Sequence, residues 1–323
     1  MSWQCQLEID QLVMLVIGQI TDMEMTILIG SQDDYSGLRG FLNFTDLKKK
    51  NPNLRTSVAI GGWNECSLNY SIVSNDPVKR RNLIESAVSL LQEYNFDRFD
   101  LDWEYPNKRD GHPIDVENFN TLIREFREEF DKHGYYLCAA VGASNQAADI
   151  SYHVPSLSKY LDRIFVMAYD LHGSWDGVTG IHAPLYRTNA YDNTNNETLA
   201  SLYVDNCIHG WLNRGADPEK IGLGMPTYGK SFKLADSSNH NLAAPTLPGN
   251  DGSANHTLNR LEYRIGLDNR KSLCIKAKYA KDLKLGTTMI WSVETHDFRG
   301  ICGPKNPFLS AIKDGLSSNP ALC

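Results

Sequence analysis

The chain lacks an apolar run of membrane length. Near its start the longest purely apolar stretch is residues 12–17, whereas a spanning helix needs roughly 20 residues. The first ten residues show no basic start and no small-residue cleavage site, so no signal peptide is read there. Basic charge is scarce: 32 Lys and Arg stand against 39 Asp and Glu, a formal net charge of −7. That balance argues against nucleic acid or an anionic membrane as the main partner. The seven cysteines (Cys5, Cys66, Cys138, Cys207, Cys274, Cys302 and Cys323) are widely spaced, odd in number and form no CxxC pair. Neither a zinc site nor a disulfide framework is expected from them. No HExxH zinc motif and no GxSxG elbow occur. Gly222-Leu-Gly224 imitates a dinucleotide loop, but the next glycine is Gly229 and Pro226 intervenes before any helix could start.

What is present is alternation. At 323 residues the chain has room for one α/β barrel, and no low-complexity linker divides it. Strand-like runs lie at 54–60, 96–103, 136–141, 163–169, 221–225 and 287–291, and residues 12–17 offer a seventh. Between them come amphipathic helices at 116–131, 200–213, 270–285 and 307–315, and one that starts at Asp76-Pro77 with Asp as cap and Pro in the first turn. Strands alternating with helices imply a parallel sheet with crossover helices. Closure into an eight-stranded barrel and an open doubly wound sheet both fit that pattern. Four Asn-X-Ser/Thr sites, at Asn43, Asn69, Asn196 and Asn255, are compatible with a secreted glycoprotein.

The most informative segment is Asp97-Arg98-Phe99-Asp100-Leu101-Asp102-Trp103-Glu104. Side chains alternate along a strand, so Asp100, Asp102 and Glu104 share one face and Phe99, Leu101 and Trp103 the other. The apolar face suits packing on helices, which turns the acids toward the barrel axis. Carboxylates spaced roughly 7 Å apart in a poorly hydrated interior cannot all ionise cheaply. They are expected to titrate together, with a proton held near neutral pH by the last acid, Glu104. An exposed acidic edge or a cation site would explain the acids differently. Calcium loops, however, want Asn, Gly and backbone turns rather than an apolar-interleaved strand.

Asp97-x-x-Asp100-x-Asp102-x-Glu104 followed by Tyr105-Pro106 resembles the signature of glycoside hydrolase family 18, the chitinases. Further segments agree in order: Ala59-Ile-Gly-Gly-Trp-Asn64, Val166-Met-Ala-Tyr-Asp170, His172-Gly-Ser-Trp-Asp176, Gly224-Met-Pro-Thr-Tyr-Gly229 and Met289-Ile-Trp-Ser292. The resemblance covers roughly residues 36–315 and is of the arthropod chitinase and chitinase-like type. It implies a TIM (β/α)8 barrel. It also implies a retaining, substrate-assisted hydrolysis of β-1,4-linked N-acetylglucosamine polymers, an exception to the two-carboxylate rule. Glu104 would be the general acid and base. Asp102 would tend the substrate acetamido group, and Asp100 would share the Asp102 proton. Tyr169 and Asp170 would contact the same sugar, with Trp291 beneath it. Trp63, Tyr105 and Trp175 would stack on sugar faces, and Asn64, Met167, Met225 and Tyr228 would line the groove. No metal or cofactor is implied, and His172 and His182 are read as structural. The implied partner is chitin or chito-oligosaccharide, met by an extracellular monomer.

Four features depart from the family pattern. Arg98 stands where Gly is usual, with an expected cost in stability rather than chemistry. The first strand is not found, which leaves a barrel lacking one strand, with open edges. The α+β insertion between strands seven and eight is shortened, giving barrel segments 1–230 and 267–323 around an insertion at 231–266, and Cys302 loses its expected partner. Lys230 stands where Arg is usual, and the two are not equivalent donors. These departures keep open a second expectation, a chitin-binding chitinase-like protein without turnover, although such relatives usually replace the acid that Glu104 supplies here.

Overall fold

The computed structural model describes residues 15–17, 25–29, 40–194, 196–247, 262–317 and 323. Asn255 and Cys5 lie outside them. The strands, in chain order, are β1 (Leu15–Ile17), β2 (Met25–Ile29), β3 (Arg55–Gly61), β4 (Arg98–Asp102), β5 (Tyr136–Gly142), β6 (Arg163–Met167), β7 (Ile221–Pro226), β8 (Gly229–Lys233), β9 (Tyr263–Leu267) and β10 (Thr287–Trp291). Eight of them close a barrel in the order β1-β10-β7-β6-β5-β4-β3-β2. Pairing is parallel from β2 round to β10, and β1 runs antiparallel to both of its neighbours.

This closure corrects the expectation of a missing strand. Leu15–Ile17 fills the first position, and Met25–Ile29, which the sequence reading passed over, fills the second, beside β3. The reversed direction of β1 has a simple cause. Only residues 18–24 connect it to β2, and parallel neighbours need a crossover of a dozen residues or more.

The helices are α1 (Gly40–Thr45), α2 (Leu68–Asn75), α3 (Pro77–Tyr94), α4 (Asp115–Phe130), α5 (Asn145–Ser151), α6 (Val154–Tyr160), α7 (Glu197–Ser201), α8 (Val204–Asn213), α9 (Arg270–Asp282) and α10 (Pro307–Leu316). The helix expected over 200–213 is two helices, α7 and α8. The start of α3 follows its capping residues: Asp76 Oδ1 accepts from the backbone N–H groups of Val78 and Lys79, at 2.8 and 3.2 Å. Asn95 closes the same helix in the left-handed region.

Two layers of side chains hold the barrel. Outward-facing strand residues pack on the helices: Phe99 stacks on Phe126 of α4 at 5.5 Å, and Trp103 meets Phe119 edge-on at 5.6 Å. Trp103 Nε1 donates to Ser67 Oγ at 2.9 Å, and that hydroxyl donates onward to the Tyr105 carbonyl. Inside the barrel Cys138, Ala140, Phe165, Met167 and Met289 form a second cluster, flanked by Ala59, Tyr169 and Trp291. Arg98 lies buried on the acid side of β4, with its guanidinium 4.9 Å from the centre of the Tyr136 ring.

Between β7 and β10 the chain leaves the barrel through β8 and returns through β9, which pair antiparallel as a separate two-stranded sheet. A disulfide joins Cys274 of α9 to Cys323, and Cys66 is also disulfide-bonded. The expectation of no disulfides is thus corrected. The Cys274–Cys323 pair is 49 residues apart in sequence and is brought together by the packing of α9 against α10, which no local spacing announces. Cys302 is free and exposed, while Cys138 and Cys207 are free and buried.

Phe126 is completely buried between β4 and its own helix. Phe126→Ala is expected to destabilise the fold by about 3–5 kcal/mol, read as a lower denaturant midpoint with an unchanged slope.

Candidate active site

The acids of β4 and of the residues that follow it share one face, as their alternation predicts. Asp100, Asp102 and Glu104 are all buried, and they rise along one inward face toward the C-terminal rim, where barrels of this kind carry their sites. Burial pushes the Asp100 carboxyl up to about 7, against the Ala140 N–H and the Arg98 charge, which act to lower it. Asp102 is pushed well above the carboxylate range, first by burial and then by the charges of Glu104 and Asp100. Glu104 is raised by burial, opposed by the Tyr105 hydroxyl and the Arg109 guanidinium. For all three acids burial outweighs the groups that favour ionisation, so the file holds protons that isolated carboxyls would have released.

Neighbouring strands make room for this file. Gly61, at the end of β3, has φ +104°, and a Cβ there would lie 2.2 Å from the Asp102 carbonyl oxygen. Gly224 of β7 leaves space for the Tyr169 ring, since a Cβ would approach its Cε1 to 2.9 Å.

A second cluster faces the acids from the end of β6. Asp170 Oδ1 accepts from His182 Nε2 at 2.6 Å and from the Tyr228 hydroxyl at 2.7 Å, and lies 3.1 Å from Lys230 Nζ. Burial alone would raise Asp170; the His182 hydrogen bond, the Lys230 charge and the Tyr228 hydroxyl outweigh it and hold the carboxyl below its ordinary value. Tyr169 points its hydroxyl toward Met289 Sδ at 3.9 Å and meets Tyr228 edge-on. Lys230 makes one charged contact here, where an arginine would offer a fork of donors.

A groove opens above the two clusters. Asp102, Glu104 and Tyr105 line it, as do Met167, Tyr169 and Asp170. Tyr228 and Trp291 extend the lining, and Trp63, Asn64 and Trp175 stand along its length. Trp63 and Trp175 are 58% and 57% exposed, an unusual state for flat apolar rings unless something covers them. Asp100 lies beneath the groove rather than in its wall.

Met225 does not join these residues. It is fully buried and packs in the outer layer with Leu223 and Ile290. Strand parity explains the correction: Gly222 and Gly224 face the barrel interior, so Met225 between them faces the helices. Three residues at the site were not chosen from sequence. His182 and Lys230 reach Asp170 across 12 and 60 positions, and Arg109 sits in a polar stretch that reads as a solvated loop. His172 is structural, between Asp176 and the Leu202 carbonyl and stacked on Tyr191. Among the described residues no group of three or more His, Cys, Asp or Glu side chains is placed to hold a metal ion.

The model for the glycosyl hydrolases family 18 matches residues 9–296. The chain belongs to glycosyl hydrolase family 18. A fly relative described as probable chitinase 2, from Drosophila melanogaster, is 36% identical over 304 residues, covering 82% of this chain and 61% of that protein. The chain therefore spans less than two thirds of that relative's length. The crystal structure of the Ostrinia furnacalis Group IV chitinase in complex with allosamidin superposes with a TM-score of 0.80 at 37% identity, covering 92% of this chain and 88% of that one. Human YKL-39, described as a pseudo-chitinase with retained chitooligosaccharide binding, superposes at 0.78 with 28% identity, over 94% of this chain and 90% of that one.

The raised Asp100 pKa carries a sign. A carboxyl whose folded pKa exceeds its unfolded value (~3.9) favours the folded state while protonated. That contribution is lost as pH rises from about 4 through about 7. Asp100→Asn is therefore expected to stabilise the fold near pH 7 and to flatten the stability profile between pH 4 and 7, checked by denaturant melts across that range.

Proposed function

We propose that the chain hydrolyses β-1,4-linked N-acetylglucosamine polymers with retention, by a substrate-assisted route. The observation that carries this reading is the buried file of acids ending in Glu104 on the wall of an aromatic-lined groove. Similarity to proteins described as chitinases supports the substrate class.

In the proposed cycle the Glu104 carboxyl gives its proton to the glycosidic oxygen as the C1–O bond breaks. The carbonyl oxygen of the substrate's own N-acetyl group attacks C1 and forms an oxazolinium ion. Asp102 accepts a hydrogen bond from the acetamido N–H and balances the positive charge, with its own proton shared with Asp100. Tyr169 donates to the acetamido oxygen and Asp170 holds the same sugar. Glu104, now ionised, takes a proton from water, whose oxygen attacks C1 and opens the oxazolinium ring. The sugar leaves with its configuration retained and Glu104 is protonated again. No metal or cofactor enters the cycle. Trp291 supplies the apolar floor, and Trp63, Tyr105 and Trp175 present flat faces to the C–H sides of sugar rings.

The same reading has the protein act outside the cell, as a monomer, and two features support the extracellular part of it. Asn43, Asn69 and Asn196 are exposed, and the Cys274–Cys323 bond suits an oxidising compartment.

On a fluorogenic chito-oligosaccharide, Glu104→Gln is expected to lower kcat by about 10²–10⁴-fold with the fold intact. If wild type binds chito-oligosaccharide without releasing product, the protein is a binding protein of the YKL-39 kind and the hydrolytic reading fails. A second outcome follows from the sharing of protons along the file. Asp102→Asn puts an amide where a carboxyl can take or give up a proton to Asp100, so it is expected to lower kcat on the same substrate while the fold is retained.

A further inference from the structure

Arg109 lies five residues beyond Glu104, in the loop that leaves β4. Its guanidinium carbon sits 3.6 Å from the centre of the Trp63 ring, close enough for full stacking. Nη1 donates to the Trp63 carbonyl and, at 3.3 Å, to the Glu104 carbonyl. Nη2 reaches Cys66 Sγ at 3.5 Å. The Arg109 carbonyl accepts from the Ser67 N–H at 3.1 Å, so backbone and side chain grip the same segment. Trp63 lines the groove and Arg109 does not. The arginine stacks on one face of an indole that lines the groove and stays more than half exposed.

We infer that Arg109 is a positioning residue for long substrates: it clamps the Trp63 indole as a fixed stacking platform and ties that platform to the backbone of the proton donor. This rests on the hydrolytic reading given above. An indole that is more than half exposed and unclamped would sample several rotamers, and a sugar would have to order it on binding. The guanidinium removes that cost beforehand. It presents a plane to the ring while one nitrogen, Nη1, donates to both carbonyls. A lysine would keep the cation without the plane. Trp63 is an exposed ring in the groove wall rather than one of the acids, so the clamp is assigned to sugars beyond the one whose bond Glu104 cleaves.

The test compares wild type, Arg109→Met, Arg109→Lys, Trp63→Ala and the Trp63→Ala/Arg109→Met double variant. Steady-state kinetics are taken on a chitobiose-based fluorogenic substrate and on chitohexaose. Arg109→Met is expected to raise KM for chitohexaose about three- to tenfold, with a smaller change in kcat and a smaller KM change on the short substrate. Arg109→Lys should recover part of the loss, and Arg109→Met should add nothing once Trp63 is Ala. Equal losses on both substrates, or additive losses in the double variant, overturn the clamp. If Arg109→Met fails to fold, Arg109→Lys decides: a KM rise confined to chitohexaose supports the clamp, and no rise or an equal rise overturns it. The parent reading fails separately, by absence of wild-type turnover on either substrate. The platform fails if Trp63→Ala handles chitohexaose as wild type does.

Discussion

Three carboxyls on one buried strand face impose the central constraint on this molecule. Like charges spaced two residues apart cannot all ionise where water is excluded, so the interior must store protons. The positive φ of Gly61 lets β3 close on the Asp102 backbone and complete that enclosure, while the Ala140 N–H works against the storage by favouring the ionised Asp100. Arg98, on the same side of the strand, acts on Asp100 from below. A fixed charge at the base favours ionisation there, and an ionised base in turn discourages ionisation above. The arginine that looks like a flaw in the strand thus contributes to the gradient along it.

The Asp170 cluster is the electrostatic opposite. One carboxylate oxygen receives three donors at 2.6–3.1 Å, so it stays ionised while the file across the groove stays protonated. Pairs of acids whose surroundings push them in opposite directions are a recurrent way of obtaining a donor and a fixed anion from the same chemical group.

Much of this was legible from residue order. The period of two in residues 98–104 separates the acids from Phe99, Leu101 and Trp103, and the structure keeps that separation. Six strands follow from apolar runs bounded by turn residues. Met25–Ile29 carries no decisive signal, because a short, mostly apolar run does not distinguish strand from helix. The seven-residue helices α5 and α6 are too short to show a 3.6-residue period. The place of Met225 is set by strand parity, which a motif does not carry: the glycines on either side face inward, so Met225 turns outward. The Asp170 contacts join positions far apart in the chain, and the Arg109 clamp depends on a loop geometry that a Lys-Arg-Asp-Gly run does not reveal.

The mixture of bonded and free cysteines has a consequence for how the covalent framework persists. Disulfide exchange needs a thiolate as attacker. Burial pushes the Cys138 thiol far up its scale, and pushes Cys207 up to about 12. Both are silent as nucleophiles and shielded from any partner. The Cys274–Cys323 link is thus insulated from reshuffling by the hydrophobic core itself, with no need for the remaining cysteines to be paired. Among the described residues only Cys302 stands where it can exchange with the surrounding redox pool.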